Sequence, residues 1–294
     1  MDREANSKIN WERVSPDSLN LAGVNVAIVG GTGGLGRAIS RFMTSRGANV
    51  TVVGQTFRDD DLKGIKFIKS DLSLLSESER VAKVLPVEKL STIIFTTGIF
   101  AGPKREETPE GIERDMAVSY LNRFVMLRDM IPRLKPSKDN IKPRIFVMGY
   151  PGNGKLGEID DLNSDKSYKS LATHMTTVAG NEALVIDTAI KHPEINIFGL
   201  NPGLVKTNIR DNFLGENTWK SRIVEFFIGK FSQNADTYAR NITPLIVSPS
   251  IEKFSGAMFN NKGKSILASA GITDEYAQRF MVESAKLVAR AKTA

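Results

Sequence analysis

Five glycines between Val29 and Arg37 form the clearest set of residues in this chain that could do chemistry. Three of them follow the spacing Gly-x-x-x-Gly-x-Gly directly after an apolar run. In such a loop one glycine permits a tight turn, one lets the backbone approach a pyrophosphate, and one lets a helix pack closely on a strand. The free N–H groups at the start of the next helix attract phosphate. We therefore predict a dinucleotide-binding loop, the alternative being a glycine-rich turn without a ligand; its binding residues are Gly30, Thr32, Gly33, Gly34, Leu35 and Gly36.

The rest of the composition narrows the chemistry. The 294 residues include no cysteine and two histidines, which excludes disulfides and thiolate nucleophiles and argues against a zinc site. The net charge of +7 allows an anionic partner without naming one. No aromatic residues interleave with the basic ones, so we predict no nucleic-acid partner. One basic cluster is expected in a solvated loop: Lys135, Lys138, Lys142 and Arg144.

Alternating strand and helix patterns must position the glycine loop. Apolar, β-branched runs predict strands, and apolar stripes at helical spacing predict helices. A helix follows the loop and ends at Gly47, and further helices are predicted at 111–134, at about 168–191 and from Thr273 onward. This alternation predicts an α/β fold, a Rossmann-type, doubly wound parallel sheet with helices on both faces. The predicted strands are 24–29, 49–53, 66–70, 91–97, 143–149, 196–200 and 256–260.

No linker divides the sequence into two folding units. We predict an N-terminal arm at residues 1–21 and a single domain at residues 22–294. The N-terminal segment has no apolar core of a secretion signal, and no run approaches the roughly 20 apolar residues of a membrane helix. The sequence therefore predicts a cytoplasmic protein without a membrane partner.

Over about residues 22–262 the chain resembles the short-chain dehydrogenases/reductases. The glycine loop matches that family's nucleotide-binding pattern, and Asp71-Leu72 resembles the pair that touches adenine. Thr96-Thr-Gly98 is a looser match to the family's Asn-Asn-Ala-Gly. Asn201-Pro-Gly203, followed by Thr207, resembles the segment that holds the nicotinamide carboxamide. Blocks such as GIERDMAVSYLNRF are similar to retinol-dehydrogenase-like members and to a fungal branch of atypical aldehyde reductases.

This resemblance implies a nicotinamide dinucleotide cofactor and a small-molecule carbonyl substrate. Because family members are often dimers or tetramers, it also leaves open a homo-oligomer. It adds these cofactor-binding residues: Asp71, Leu72, Thr97, Gly98, Pro202, Gly203, Val205 and Thr207.

The family's catalytic set, an Asn, a Ser and a Tyr-x-x-x-Lys pair, is replaced here. Alignment places Ser119 at the Asn position, with Asn122 close by on the same helix face. The Ser position falls in Met148-Gly149-Tyr150, which contains no serine. Counting back from the Asn-Pro-Gly segment places His174 at the Tyr position and Val178 at the Lys position. The family's proton transfer therefore needs another donor.

The candidate catalytic residues are His174, Tyr150 and Ser119. An imidazole exchanges protons near neutral pH without a lysine to tune it. The alternative is that His174 is packed on a helix and hydrogen-bonded to a neighbour. Tyr150 and Tyr168 would each need a lowered pKa, and since no lysine is placed to lower it, packing roles are favoured for them.

The end of the second predicted strand bears on the choice between NAD and NADP. Gln55 stands where an acidic residue would bind the ribose 2′-hydroxyl and repel a phosphate. Gln55, Thr56 and Arg58 could contact a 2′-phosphate, although Gln55 and Thr56 could equally bond a free hydroxyl. The sequence favours NADP(H) over NAD(H).

An apolar segment at residues 208–233 is expected either to cover a small apolar or aromatic carbonyl substrate or to pack for stability or oligomer contacts. The favoured function is an NAD(P)H-dependent reductase, of aldehydes before ketones because aldehydes are intrinsically more electrophilic. The alternatives are a dinucleotide-binding sensor or scaffold without redox turnover, and a cofactor-assisted cyclisation or isomerisation.

Overall fold

The computed structural model describes residues 5–137, 140–203 and 234–291. In these residues eight strands form one sheet of order β3-β2-β1-β4-β5-β6-β7-β8. The pairings from β3 to β7 are parallel, and β8 is antiparallel to β7. The chain therefore builds outward from β1 in one direction and from β4 in the other. The strands are β1 Asn25–Val29, β2 Asn49–Gly54, β3 Ile65–Lys69, β4 Thr92–Phe95, β5 Arg144–Met148, β6 Asn196–Leu200, β7 Met258–Phe259 and β8 Ser265–Ile266.

Helices cover both faces of this sheet, which confirms the predicted α/β, Rossmann-type fold. On one face α2 packs against α4 and α5 against α7, and on the other α1 packs against α6. Between α3 and α4 the helix widens into a π-helical segment, Ala117–Leu121. The helices are α1 Gly34–Ser45, α2 Leu75–Val84, α3 Arg114–Met116, α4 Asn122–Met130, α5 Ser170–Lys191, α6 Ala235–Val247 and α7 Asp274–Ala291.

Two apolar cores separate the sheet from its helices. Tyr120 and Phe280 meet edge to face in one core, with ring centroids 5.4 Å apart. Phe146 and Phe198 stack in the other, at 5.2 Å. All four side chains are fully buried, and burying such a side chain contributes about 1.5–3 kcal/mol. The core holds the strand ends in fixed positions at one edge of the sheet.

The structure corrects one prediction about the basic residues. Arg144 is not in a solvated loop: it opens β5, is 7% exposed and contacts Glu252 at 2.5 Å. The apolar residues that follow Arg144 form β5, an inner strand of the sheet. Arg144 is buried because it is the first residue of that strand. Lys138 lies outside the described residues.

Residues at the beginning of the described chain cover the outer strand of the sheet. Ala5 bridges to Ile266 in an antiparallel pairing. The Ser265 hydroxyl donates to the carbonyls of Asn6 and Ile9, at 2.8 and 3.0 Å. The Trp11 indole donates to the carbonyl of Gly263 at 2.7 Å. These contacts satisfy groups that an edge strand would otherwise expose.

Of the helices in the described residues, none is both long enough and apolar enough to cross a membrane.

Candidate functional site: the carboxyl edge of the sheet

Gly30 and Gly36 must lack side chains because the backbone of the loop is in close contact with the end of β4. Gly30 has a φ of +90°, and a Cβ there would lie 2.7 Å from the Thr97 amide nitrogen. At Gly36 a Cβ would lie 2.3 Å from the Thr96 hydroxyl and 2.4 Å from the Gly30 carbonyl oxygen. The loop, β4 and α1 can therefore come together only around glycine.

The start of α1 is open to an anion. Gly33 caps the helix without a side-chain hydrogen bond, and the first turn carries no acidic residue. A Cβ at Gly33 would have Arg58 as its nearest neighbour, at 3.9 Å, so the loop is uncrowded on that side. Free N–H groups and the positive end of the helix dipole suit a pyrophosphate. The residues of this loop therefore fit a dinucleotide cofactor.

Arg58 lies over the same loop. Its guanidinium donates to the Thr32 carbonyl at 3.1 Å, while Gln55 and Thr56 remain exposed at the end of β2. The next residue, Asp59, is 2% exposed and is held by Arg37 and Arg41 at 2.7 and 3.0 Å. The hydrogen bond from Arg37 holds the pKa of Asp59 below its ordinary value, despite burial. This ion pair fixes the Arg58 backbone beside the glycine loop.

Asp71 and Leu72 lie beyond the end of β3, on the same edge of the sheet. Leu72 is buried and Asp71 is exposed. Partial burial opposes ionisation of Asp71, but hydrogen bonds from Ser73 and Gln55 outweigh it and lower the pKa of Asp71. A cavity of about 490 Å³ adjoins this pair, lined by Gln55, Lys69, Ser70, Asp71 and Glu77.

The ends of β4 and β6 bring further predicted cofactor residues to the same edge. The Thr97 hydroxyl donates to the side-chain oxygen of Asn122 at 3.4 Å. A Cβ placed on Gly98 would lie 3.7 Å from the Ser119 hydroxyl. After β6 the Asn201 amide donates to the Pro151 carbonyl at 2.9 Å, and its carbonyl oxygen accepts from the Gly203 N–H at 3.0 Å. Pro202 stands inside this turn; Val205, Thr207 and the apolar segment 208–233 lie outside the described residues.

A fully buried carboxylate, Asp115, joins two of the three predicted catalytic residues. One Asp115 oxygen accepts a short hydrogen bond from the Ser119 hydroxyl. The other lies 2.7 Å from His174 Nδ1, across 59 residues of sequence. Because a carboxylate accepts, it selects the imidazole tautomer with hydrogen on Nδ1, which leaves the Nε2 lone pair as the acceptor of the ring.

The loop after β4 packs on this group. The Ile99 amide donates to the Ser119 hydroxyl at 3.0 Å, and the Phe100 ring lies 4.2 Å from the His174 ring. Two side chains near the start of α5 hold the loop down: the Tyr168 hydroxyl donates to the Gly102 carbonyl at 2.6 Å and Ser170 donates to Ala101. His174 is therefore confined, with 15% of its side chain exposed.

The Tyr168 hydroxyl donates to the Gly102 carbonyl and not to Asp115 or His174. Burial, reinforced by the carboxylates Glu113 and Asp115, raises the pKa of Tyr168 to about 12. The Tyr168 hydroxyl therefore keeps its proton at neutral pH. Tyr150 follows β5 and is half-buried. Val178, which the family resemblance aligns with the lysine of the catalytic set, is 4% exposed and belongs to the apolar core.

A buried polar network extends from Asp115 into the protein. The Asn181 side chain donates to the Ser119 carbonyl at 2.8 Å and accepts from the Arg123 guanidinium at 2.6 Å. Arg123 also donates to the carbonyls of Thr97 and Met148, which follow β4 and end β5. The network therefore connects two strand ends to His174 through Asn181, Ser119 and Asp115.

Asp115, Arg123 and Asn181 were missed from the sequence. One signal was available: Asp115, Ser119 and Arg123 recur every four residues, which places them on one helix face. The π-helical segment that contains Ser119 shifts this spacing, and such segments occur often at functional sites. Spacing alone could not identify His174 and Asn181 as their partners.

Known proteins resemble the whole chain. A Saccharomyces cerevisiae protein described as an uncharacterized oxidoreductase is 53% identical, covering 96% of this chain and 94% of its own. Mouse retinol dehydrogenase 13 is 24% identical, covering 93% and 86%. The structure of a Brucella melitensis 3-ketoacyl-(acyl-carrier-protein) reductase complexed with NADH matches with a TM-score of 0.60 at 18% identity, covering 82% and 97%.

No protein-family model matches the chain. The yeast relative nevertheless matches nearly from end to end, and the glycine loop follows the first strand of the parallel sheet, the position typical of dinucleotide-binding folds. The chain belongs to the short-chain dehydrogenase/reductase family of oxidoreductases.

Proposed function

We propose that this protein is an NAD(P)H-dependent reductase of small or aromatic aldehydes in which His174 supplies the proton. The observation that carries the proposal is the contact of 2.7 Å between His174 Nδ1 and the buried Asp115. It orients an imidazole at the position where the family resemblance places the proton donor. When bound, the cofactor supplies hydride to the carbonyl carbon.

Different residues of the chain would bind the cofactor, transfer the proton and contact the substrate. The glycine loop and the start of α1 would hold the pyrophosphate, and Asn201 with Gly203 would border the nicotinamide end. Asp115 stabilises the charged imidazole, and Nε2 delivers the proton to the carbonyl oxygen. Phe100 lies against His174 and provides an apolar wall, which suits a small apolar or aromatic substrate.

Aldehydes are favoured because they are intrinsically more electrophilic than ketones. Val178 supplies no charge to the site, and one imidazole gives modest acid catalysis. The Brucella relative in fold is complexed with NADH, which supports a nicotinamide dinucleotide here.

His174→Ala tests the proposal. With saturating cofactor and a panel of aliphatic and aromatic aldehydes, we expect kcat to fall about 100-fold, because general acid catalysis contributes in this range. The dissociation constant of NADPH is expected to stay within about twofold, since the glycine loop is untouched. Added imidazole should restore part of the turnover.

His192→Ala is the matched control, because the His192 side chain is 38% exposed and contacts Glu194 at 2.9 Å. It should leave kcat unchanged. Unchanged turnover in His174→Ala would eliminate His174 as the acid. Wild-type protein that binds NADPH but oxidises none across the panel would favour the scaffold function instead.

Arg58 supports a preference for NADP(H). It is exposed, lies beside the cofactor loop and is fixed by its contact with Thr32. Replacing it with Ala should weaken NADPH binding about tenfold, the loss of one charge-assisted contact to phosphate, and leave NADH binding unchanged. Titrations of both cofactors measure this; a wild-type preference of tenfold for NADH would contradict it.

A further inference from the structure

Arg123 is a buried cation at the carboxyl edge of the sheet. It is 1% exposed, and the three acceptors that its guanidinium reaches are all uncharged: the carbonyls of Thr97 and Met148 and the amide oxygen of Asn181. Its Nε has no hydrogen-bond partner among the described residues. Within that part of the chain Arg123 forms no ion pair of 4.0 Å or less, and the Asp115 carboxylate acts on it electrostatically from farther away.

Burying a charge without an ion-pair partner lowers the stability of a fold. Buried charges in proteins are usually paired, because removing a charge from water is energetically costly. Burial lowers the pKa of Arg123 to about 9 although the negative charge of Asp115 opposes this shift, so the side chain remains charged at neutral pH. An arginine whose only role was packing could be replaced by a long apolar side chain without that cost.

The position of the charge suggests what it does. Thr97 follows β4, and Met148 ends β5 and begins the segment where the family resemblance places the serine of the catalytic set. Arg123 is also linked to His174 through Asn181, Ser119 and Asp115. The charge therefore lies next to the part of the edge where the nicotinamide end is expected. Low dielectric and burial extend the reach of its field there.

We propose that Arg123 is the fixed cation of this site, and that its charge favours the neutral, reduced nicotinamide over the positively charged, oxidised one. The inference rests on the proposed function, since it needs a nicotinamide cofactor at this edge. The family resemblance expects a cation on α5, at the position of Val178; here the cation comes from α4. Arg123 does not exchange protons in this role, and it biases the bound cofactor towards the form needed for reduction.

The test is a comparison of dissociation constants for the oxidised and reduced cofactor, by calorimetry or fluorescence. Arg123→Met removes the charge and keeps length, Arg123→Gln removes the charge and keeps a hydrogen-bond donor, and Arg123→Lys keeps the charge. Circular dichroism checks that each variant is folded. We expect both neutral variants to reduce the preference for the reduced form about tenfold, the scale of one added or removed nearby charge. Arg123→Lys should stay within about threefold of the wild type.

A purely structural role predicts a different result. Both forms of the cofactor would then bind more weakly by the same factor, their ratio would not change, and the inference would be overturned. If neither neutral variant folds, the wild type still decides the matter: oxidised cofactor bound as tightly as reduced cofactor contradicts the inference. Wild-type protein that binds neither form overturns the proposed function as well, whereas binding with an unchanged ratio overturns the role of Arg123 alone.

Discussion

The two halves of the carboxyl edge are built in opposite ways. At the cofactor half, around the glycine loop, the structure depends on side chains that are missing: Gly36 has no room for a single carbon atom. At the catalytic half, around Asp115 and Arg123, it depends on charged side chains that are present and fully buried. One half is defined by steric exclusion and the other by a hydrogen-bonded network.

This difference explains which family features the chain keeps. A loop that must let backbone approach a phosphate has few alternatives to glycine. A proton donor needs only a suitable pKa and a suitable position, so a histidine held by a carboxylate can take the place of a tyrosine held by a lysine. The catalytic half can therefore change its residues while the cofactor half cannot.

The comparison predicts its largest effect for Gly36→Val. The added carbons would overlap the Thr96 hydroxyl and the Gly30 carbonyl, so α1 must move away from β4. We expect NADPH binding to weaken at least 100-fold and the free energy of unfolding to fall by about 3 kcal/mol. Titration and urea unfolding measure the two effects.

Gly33→Ala is the control for stability, because its φ of −152° is extended and a Cβ meets only the Arg58 guanidinium at 3.9 Å. It should unfold like the wild type. Gly36→Val with wild-type stability and binding would show that steric exclusion does not define this half.

The next largest effect is expected for Asp115→Asn. The amide keeps the shape of the carboxylate but can offer an N–H to His174 Nδ1, which selects the opposite tautomer, with the hydrogen on Nε2, and removes the negative charge that stabilises the protonated imidazole. We expect kcat to fall about 30-fold to 100-fold and the NADPH dissociation constant to stay unchanged. Asp160→Asn is the control, because Asp160 is 74% exposed and contacts Arg279 at the surface. A parallel loss of binding and turnover would assign Asp115 to the fold instead.

Opposite pH responses of the two halves form the third and smallest prediction. Burial raises the pKa of Glu113, which caps α3, to about 7. Its neutral form is favoured in the folded state, so its contribution to stability is lost as pH rises from about 4.5 through 7. The pKa of Asp59 is lowered instead by Arg37, so its contribution is lost as pH falls through its lowered value.

Glu113→Gln should therefore raise the free energy of unfolding more at pH 8 than at pH 5. The difference between the two increases is expected to be about 2 kcal/mol. Its amide oxygen can still accept the Met116 N–H that Glu113 accepts at 2.7 Å. Urea unfolding at both pH values measures the difference. Equal changes at pH 5 and pH 8 would mean that Glu113 does not titrate between them.

The accuracy of the sequence-based predictions follows the same division. The glycine loop is local and sterically determined, so its position after β1 could be read directly. The last helix was also predictable, because its apolar residues recur at helical spacing and those from Ala277 to Val288 on one face are buried. The contact between Asp115 and His174 was not predictable, because it depends on how α3 and α5 pack. The environment of Arg144 was predicted wrongly, because its charge was taken to indicate a solvated loop although the apolar residues that follow it form a buried strand.

The arm that covers β8 has a consequence for the order of folding. The hydrogen bond from Ser265 to the Asn6 carbonyl closes a separation of 259 residues in the sequence. During synthesis Asn6 emerges long before its partner exists, and closing so large a loop is slow compared with forming local contacts. The arm must therefore wait until β7 and β8 have paired, which makes its docking a late event in folding. Until then the backbone hydrogen-bonding groups of the edge strand β8 remain available for pairing with another chain.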